Sequence, residues 1–167
     1  AFGYAPATGT FPGQQLVSGW QGKYYLNSWA KGDGATGKAT SREFTIARNF
    51  IHFLVGGGEH ANETCINLVV DGAVVASERG QNTEQLRAVR WDVSPHVGKK
   101  AVIEIVDANT GGWGHVLVDD IQFSDSPRLS LTDPVLSERL NEALPFRARG
   151  TKTYSGEARP FKKGSTL

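Results

Sequence analysis

The chain has one cysteine, Cys65, so no disulfide can close within it. Cys65 sits in the apolar run 65-CINLVV-70 and reads as a small core residue rather than a reactive thiol. With no second cysteine and no histidines at ligand spacing, a zinc site is not expected. No apolar stretch reaches the roughly 18 residues of a membrane span. No secretory leader is visible, and the chain opens on Ala1 rather than Met, which fits a mature or excised piece. Charge of one sign is also missing. The net charge of +1 gives no electrostatic reason to expect nucleic acid or an anionic membrane as partner. Lys and Arg are scattered except in a basic tail at 147–163.

What the chain does have is glycine. Its 20 glycines in 167 residues, with a modest 39% hydrophobic content, point to many turns and short strands in one domain with an appendage. Residues 19–41 carry too many glycines for a helix and too many aromatics for a disordered linker. The β-branched and aromatic run 44–55 reads as a strand, stopped by Gly56-Gly57-Gly58. That triple glycine lacks the Lys-Ser/Thr of a phosphate loop and reads as a place where two backbones approach closely. Asp71-Gly72 between the β-rich stretches of 65–77 signals a two-residue hairpin. Further strands are expected at 86–93, 100–106 and 115–123, separated by Gly, Asn, Ser and Pro turns. The fold class is therefore all-β, an antiparallel β-sandwich or jelly roll. In the last strand His115, Leu117, Asp119, Ile121 and Phe123 share the face expected to look inward, and Asp119 would then need a structural partner.

After Phe123 the character changes. Asp133 as N-cap and Pro134 at the first helical position predict a short helix over 134–144, followed by an irregular tail. The expected division is a sandwich module at 1–125 and a helix with tail or linker at 126–167.

Hydrolytic chemistry would need a nucleophile with a base, or two carboxylates flanking a bond. Carboxylates are present, but no spacing selects a pair, and the four histidines lie in no catalytic motif. The groups that remain are those that recognise sugars. An aromatic ring covers the apolar C–H face of a sugar, and planar polar groups bond its neighbouring hydroxyls. Trp113, set between glycines in 107-DANTGGWGHVLVDDIQF-123, fits the first role. Its other reading is packing at the edge of the core. Asn27, Asp33, Asn82, Glu84 and Asp107 fit the second, each with a turn cap or a solvated loop as its alternative. Trp20 and Trp91 read as core. Asn62-Glu63-Thr64 matches the N-glycosylation triplet, which carries meaning only in a eukaryotic secretory setting.

Seven separated stretches then resemble one family: 27-NSW, 32-GD…TG…S-41, 53-FLVGGG-58, 64-TCINLVVDG-72, 80-GQNTEQL-86, 91-WDV-93 and 107-DANTGGWGHVLVDDIQFSD-125. Over about residues 2–125 the chain resembles the family 66 carbohydrate-binding module, a β-sandwich attached to levanases and other fructan-cleaving glycoside hydrolases. The resemblance implies a non-catalytic, secreted or periplasmic module of a multidomain protein, binding the terminal non-reducing fructose of levan-type fructan. It implies a pocket drawn from the loops of Asn27 and Asp33, of Asn82 and Glu84, and of Asp107, Trp113 and His115. The 59-EHANE-63 loop departs from the usual proline-containing form, so no contact is carried over to Glu59 or His60. No cofactor is implied beyond a structural calcium ion, and no metal ligands are assigned. Two other readings stand beside this one: a structural or protein-interaction sandwich with no sugar ligand, and a small enzyme.

Overall fold

The computed structural model describes residue 2, residues 5–128 and the strand pairing of 138–139 and 147–150. In chain order the strands are β1 (Leu26–Asn27), β2 (Gly37–Thr40), β3 (Phe44–Thr45), β4 (Phe50–Gly57), β5 (Thr64–Val70), β6 (Ala73–Arg79), β7 (Thr83–Asp92), β8 (Lys100–Asp107), β9 (Val116–Ser124), β10 (Glu138–Arg139) and β11 (Arg147–Gly150). They form two sheets, all of whose strand pairs are antiparallel. One runs β1-β9-β4-β7, with β10 also on β9. The other runs β11-β2-β8-β5-β6, with β3 also on β8. The expected all-β class holds.

The run 44–55 is two strands, not one. Phe44–Thr45 pairs with β8 in one sheet, and Phe50–Gly57 lies in the other. The crossing is closed by Ile46 N donating to Lys99 O at 2.9 Å and Val93 N donating to Asn49 O at 2.8 Å. The Asp71-Gly72 turn is the expected two-residue hairpin. Val70 pairs with Ala73, and φ is +52° at Asp71 and +81° at Gly72, as this tight turn requires. The helix expected over 134–144 lies mostly outside the described residues. The two that are described, Glu138 and Arg139, are strand residues opposite Phe123 and Gln122. There the outer edge of β9 runs beyond the short β1, which covers only Leu117 and Val118, and its free backbone groups are a template for pairing.

Inward residues of both sheets make one core around Ile51, Phe53, Ile66, Leu68, Ile103, Ile105, Val116 and Val118, with Trp91 edge-on to Phe53 at 4.6 Å. The expected inward face of β9 is reversed in its first half. Val116 and Val118 enter this core, while Leu117 turns to a second apolar cluster with Ala7, Val17, Tyr25, Leu54 and Leu86. A bulge causes the switch. His52 pairs with Gln122 and Leu54 with Asp119, so Asp120 and Ile121 both stand opposite Phe53. Asp120 has φ +49°, and after the extra residue Ile121 and Phe123 pack on the main core. Asp119 is half-buried and accepts a 2.6 Å bond from Gln21 N.

The triple glycine is a close backbone crossing, as its sequence suggested. A Cβ on Gly57 would stand 2.5 Å from His115 O, and one on Gly58 would stand 2.0 Å from Trp113 O. Gly58→Ala should therefore lower stability by about 1–3 kcal/mol, the usual cost of forcing atoms into a packed site. Gly112→Ala, where an added Cβ meets nothing within 4 Å, should leave it unchanged. Thermal melts of the two variants against the parent chain test this difference.

Candidate functional site

One end of the molecule gathers most of the residues that the sequence singled out. The end of β8 brings Asp107, the start of β7 brings Glu84, and the loop before β9 brings Trp113 and His115. Asn27 N-caps the 3-10 turn Ser28–Lys31, its Oδ1 accepting from Trp29 N at 2.9 Å, and Asp33 follows that turn. Glu84 owes its place to an irregularity in β7. Gly57 pairs with Thr83 but Val55 with Arg87, so residues 84–86 leave β4 and pair instead with the N-terminal segment. Ser18 N donates to Glu84 O at 3.1 Å, and Leu86 N donates to Ser18 O at 2.9 Å.

His115 is the centre of the cluster and only 2% exposed. Its Nδ1 lies 2.6 Å from Asp33 Oδ1 and its Nε2 3.1 Å from Glu84 Oε1. The first is a well-formed hydrogen bond. The second is an ion-pair contact too oblique to meet hydrogen-bond geometry. Burial alone would depress the His115 pKa, but the adjacent carboxylates of Glu84 and Asp33 outweigh it and hold the imidazole above its ordinary value. Trp113 lies over this ring at 5.8 Å between centroids and 27° between planes.

Asp107 is 1% exposed, and neither carboxylate oxygen has a well-formed partner. The Ser28 hydroxyl is engaged with Val116 instead, accepting from Val116 N at 2.8 Å and donating to Val116 O at 3.3 Å. Burial pushes the Asp107 pKa up to about 7, against smaller opposing effects of Ser28 and His115. Asn27 and Glu84 are each 5% exposed. Asn27, Glu84, Asp107 and His115 thus lie beneath the surface and support the site rather than line it. Asn82 is exposed at φ +54° and spends its Oδ1 on Glu59 N at 2.9 Å, so it shapes a turn. Besides Asn82, Asp33, with a third of its side chain exposed, and the partly exposed Trp113 are the expected residues that present themselves outward.

In the Trp113 loop the left-handed residue is Trp113 itself, at φ +61°, and not Gly111 or Gly112. A bulky side chain in that region is a strained outlier that only its surroundings can hold. The hold is visible. His60 Nε2 lies 3.0 Å from Gly112 O, and Asn109 Nδ2 donates to Glu63 Oε2 at 2.6 Å. Gly114 is packed so closely that a Cβ would stand 2.7 Å from Asp33 O.

Gln14 was not foreseen. It bonds Glu84 and Asn27 from a turn 70 residues before Glu84. The Pro12-Gly13 pair marks that turn in the sequence, but nothing there says what the turn touches.

The imidazole ring fills the gap between Asp33 and Glu84, where a bond to be cleaved would have to lie, and both its nitrogens face carboxylates. Among the described residues no group of three His, Cys, Asp or Glu side chains is arranged to hold a metal ion.

No family model matches the chain. A curated protein of Aspergillus rugulosus, described as "Putative glycosyl hydrolase ecdE", is 47% identical over 122 residues. The match covers 73% of this chain but only 17% of that protein's length. Two solved structures of a cyclase from Fischerella sp., one of them an apo form, align at a TM-score of 0.38 with 18% and 16% identity. They cover 60% of this chain and 61% and 62% of theirs, a likeness too low to carry an argument.

The raised pKa of Asp107 means that the folded chain keeps a proton that the unfolded chain has lost between pH 4 and 7. His115, also raised, contributes stability that is complete below its ordinary pKa and lost as pH rises through the folded value. Both make stability fall with rising pH. For Asp107 alone the fall from pH 4 to pH 8 should be on the order of 4 kcal/mol. Denaturant titrations of the parent chain and Asp107→Asn across this range should show a flatter profile in the variant.

Proposed function

We propose that this chain is a non-catalytic carbohydrate-binding module, a β-sandwich of the family 66 type, which holds a secreted parent glycoside hydrolase on its polysaccharide. Its ligand is the terminal non-reducing fructose of a levan-type fructan. The observation that carries the reading is Trp113: a partly exposed indole held at φ +61° and stacked on His115, which in turn fixes Oδ1 of the partly exposed Asp33. Strain at a bulky aromatic is tolerated where function needs the ring in one place. The indole would cover the C–H face of the sugar, and Asp33 would accept bonds from its hydroxyls. A relative named as a glycosyl hydrolase, matched over only part of its length, agrees with a module appended to such an enzyme. A hydrolytic role for the cluster fits less well, because His115 occupies the space between the two carboxylates, where a bond to be cleaved would have to lie.

One small sugar offers few contacts, so Kd for short oligomers should lie at about 10 µM to 1 mM. Levan with many ends should be retained more strongly through recapture. Trp113→Gly should abolish retardation in levan affinity gels and leave the melting temperature unchanged or higher, since glycine adopts positive φ without strain. Trp91→Ala, in the core, should instead cost about 3–5 kcal/mol of stability. A Trp113→Gly variant that melts early but still binds levan would refute the assignment, as would release of sugar from fructan by the isolated chain.

A further inference from the structure

We propose that Gln14 is a positioning residue of this site: it holds Glu84 as a pure acceptor and, through Glu84 and His115, aims Asp33 outward. The inference deepens the sugar-binding reading and rests on it for its affinity measurements. It starts from two backbone N–H groups, which can only donate. Trp29 N points at Asn27 Oδ1 at 2.9 Å, so Asn27 must present its Nδ2 to Gln14 Oε1, also at 2.9 Å. Phe11 N donates to the same Gln14 Oε1 at 3.3 Å and fixes that amide independently. Gln14 Nε2 is therefore the end that meets Glu84 Oε2, at 3.1 Å, and it donates. Glu84 must accept there, and its Oε1 faces His115 Nε2. His115 Nδ1 then reaches Asp33 Oδ1. Hydrogen bonds fix the orientations from Asn27 to Glu84, an ion-pair contact links Glu84 to His115, and Asp33 is the acid of the series that meets solvent.

The ionisable surroundings of Glu84 are His115 from the loop before β9 and Tyr25 from the segment before β1. Asp33 and Asp107 lie beyond the imidazole. Tyr25 gives its hydroxyl proton to Gly9 O at 2.8 Å, which leaves Gln14 as the neutral donor to Oε2. Gln14 is itself only partly buried, on a turn closed by Gln14 N donating to Phe11 O at 3.1 Å, so its replacement leaves the core intact.

Two substitutions test the assignment on the full chain. Gln14→Leu removes the donor and should weaken levan binding about tenfold or more at every pH, the usual loss for a hydrogen bond to a charged group. Gln14→Glu should bind as weakly at pH 8, where a carboxylate would face Glu84. It should recover at pH 5, where a protonated carboxyl can donate to Glu84 and still accept from Asn27. Equal loss at both pH values, or no loss, would overturn the proposal. A measurement without ligand separates it from the sugar-binding reading. In Gln14→Glu the added negative charge should raise the titration midpoint of His115, followed by ring 15N shifts in NMR. If the parent chain fails to bind levan, the functional reading falls, and the His115 midpoint alone decides the role of Gln14: an unmoved midpoint rejects it.

Discussion

The site depends on a backbone crossing that admits no side chain. Gly57 and Gly58 at the end of β4 lie against the backbones of His115 and Trp113, with Gly58 N donating to His115 O at 2.8 Å. Only hydrogen fits in that space. Because the two chains meet so closely, the loop that carries Trp113 and His115 is set directly on the end of a central strand. Its fastening by His60 and Glu63, which lie just after the glycines, follows from the same adjacency. A tryptophan in the left-handed region survives here because the loop is pinned on both sides of it.

Charge is arranged around that loop by the same economy of atoms. His115 stands between two carboxylates in a space almost closed to water, where its positive form is favoured. Asp107 shares the region but lacks hydrogen-bond partners, and it avoids an unfavourable buried charge by holding its proton to about pH 7. Asp33 is the outlet of this cluster to solvent.

An irregularity in strand pairing gives the site one of its acidic groups. Irregular pairing at 84–86 releases β7 from β4 and turns Glu84 toward His115. The bulge in β9 at 120–121 lets Val116 and Val118 face one core and Leu117 another, so that both sides of the strand are covered where it leaves the site.

Much of this was legible in the residues themselves. Local chemistry determined the strands, the Asp71-Gly72 hairpin and the need for close approach at the triple glycine, because β-branched runs and positive-φ turns depend on neighbours in the chain. The same local reasoning brought forward Asn27, Asp33, Asn82, Glu84, Asp107 and Trp113 as candidates, and the family resemblance added His115. It could not say which of them face outward, because exposure is decided by what packs on top. Tertiary structure buried Asn27, Glu84, Asp107 and His115, left Asn82 to a turn, and joined Gln14 to Glu84 across 70 residues. It also assigned the left-handed conformation to Trp113 rather than to a glycine, and reversed the inward face of β9. A bulge and a distant hydrogen bond arise from pairing between segments far apart in the chain, and alternation along a single strand carries no record of its partners.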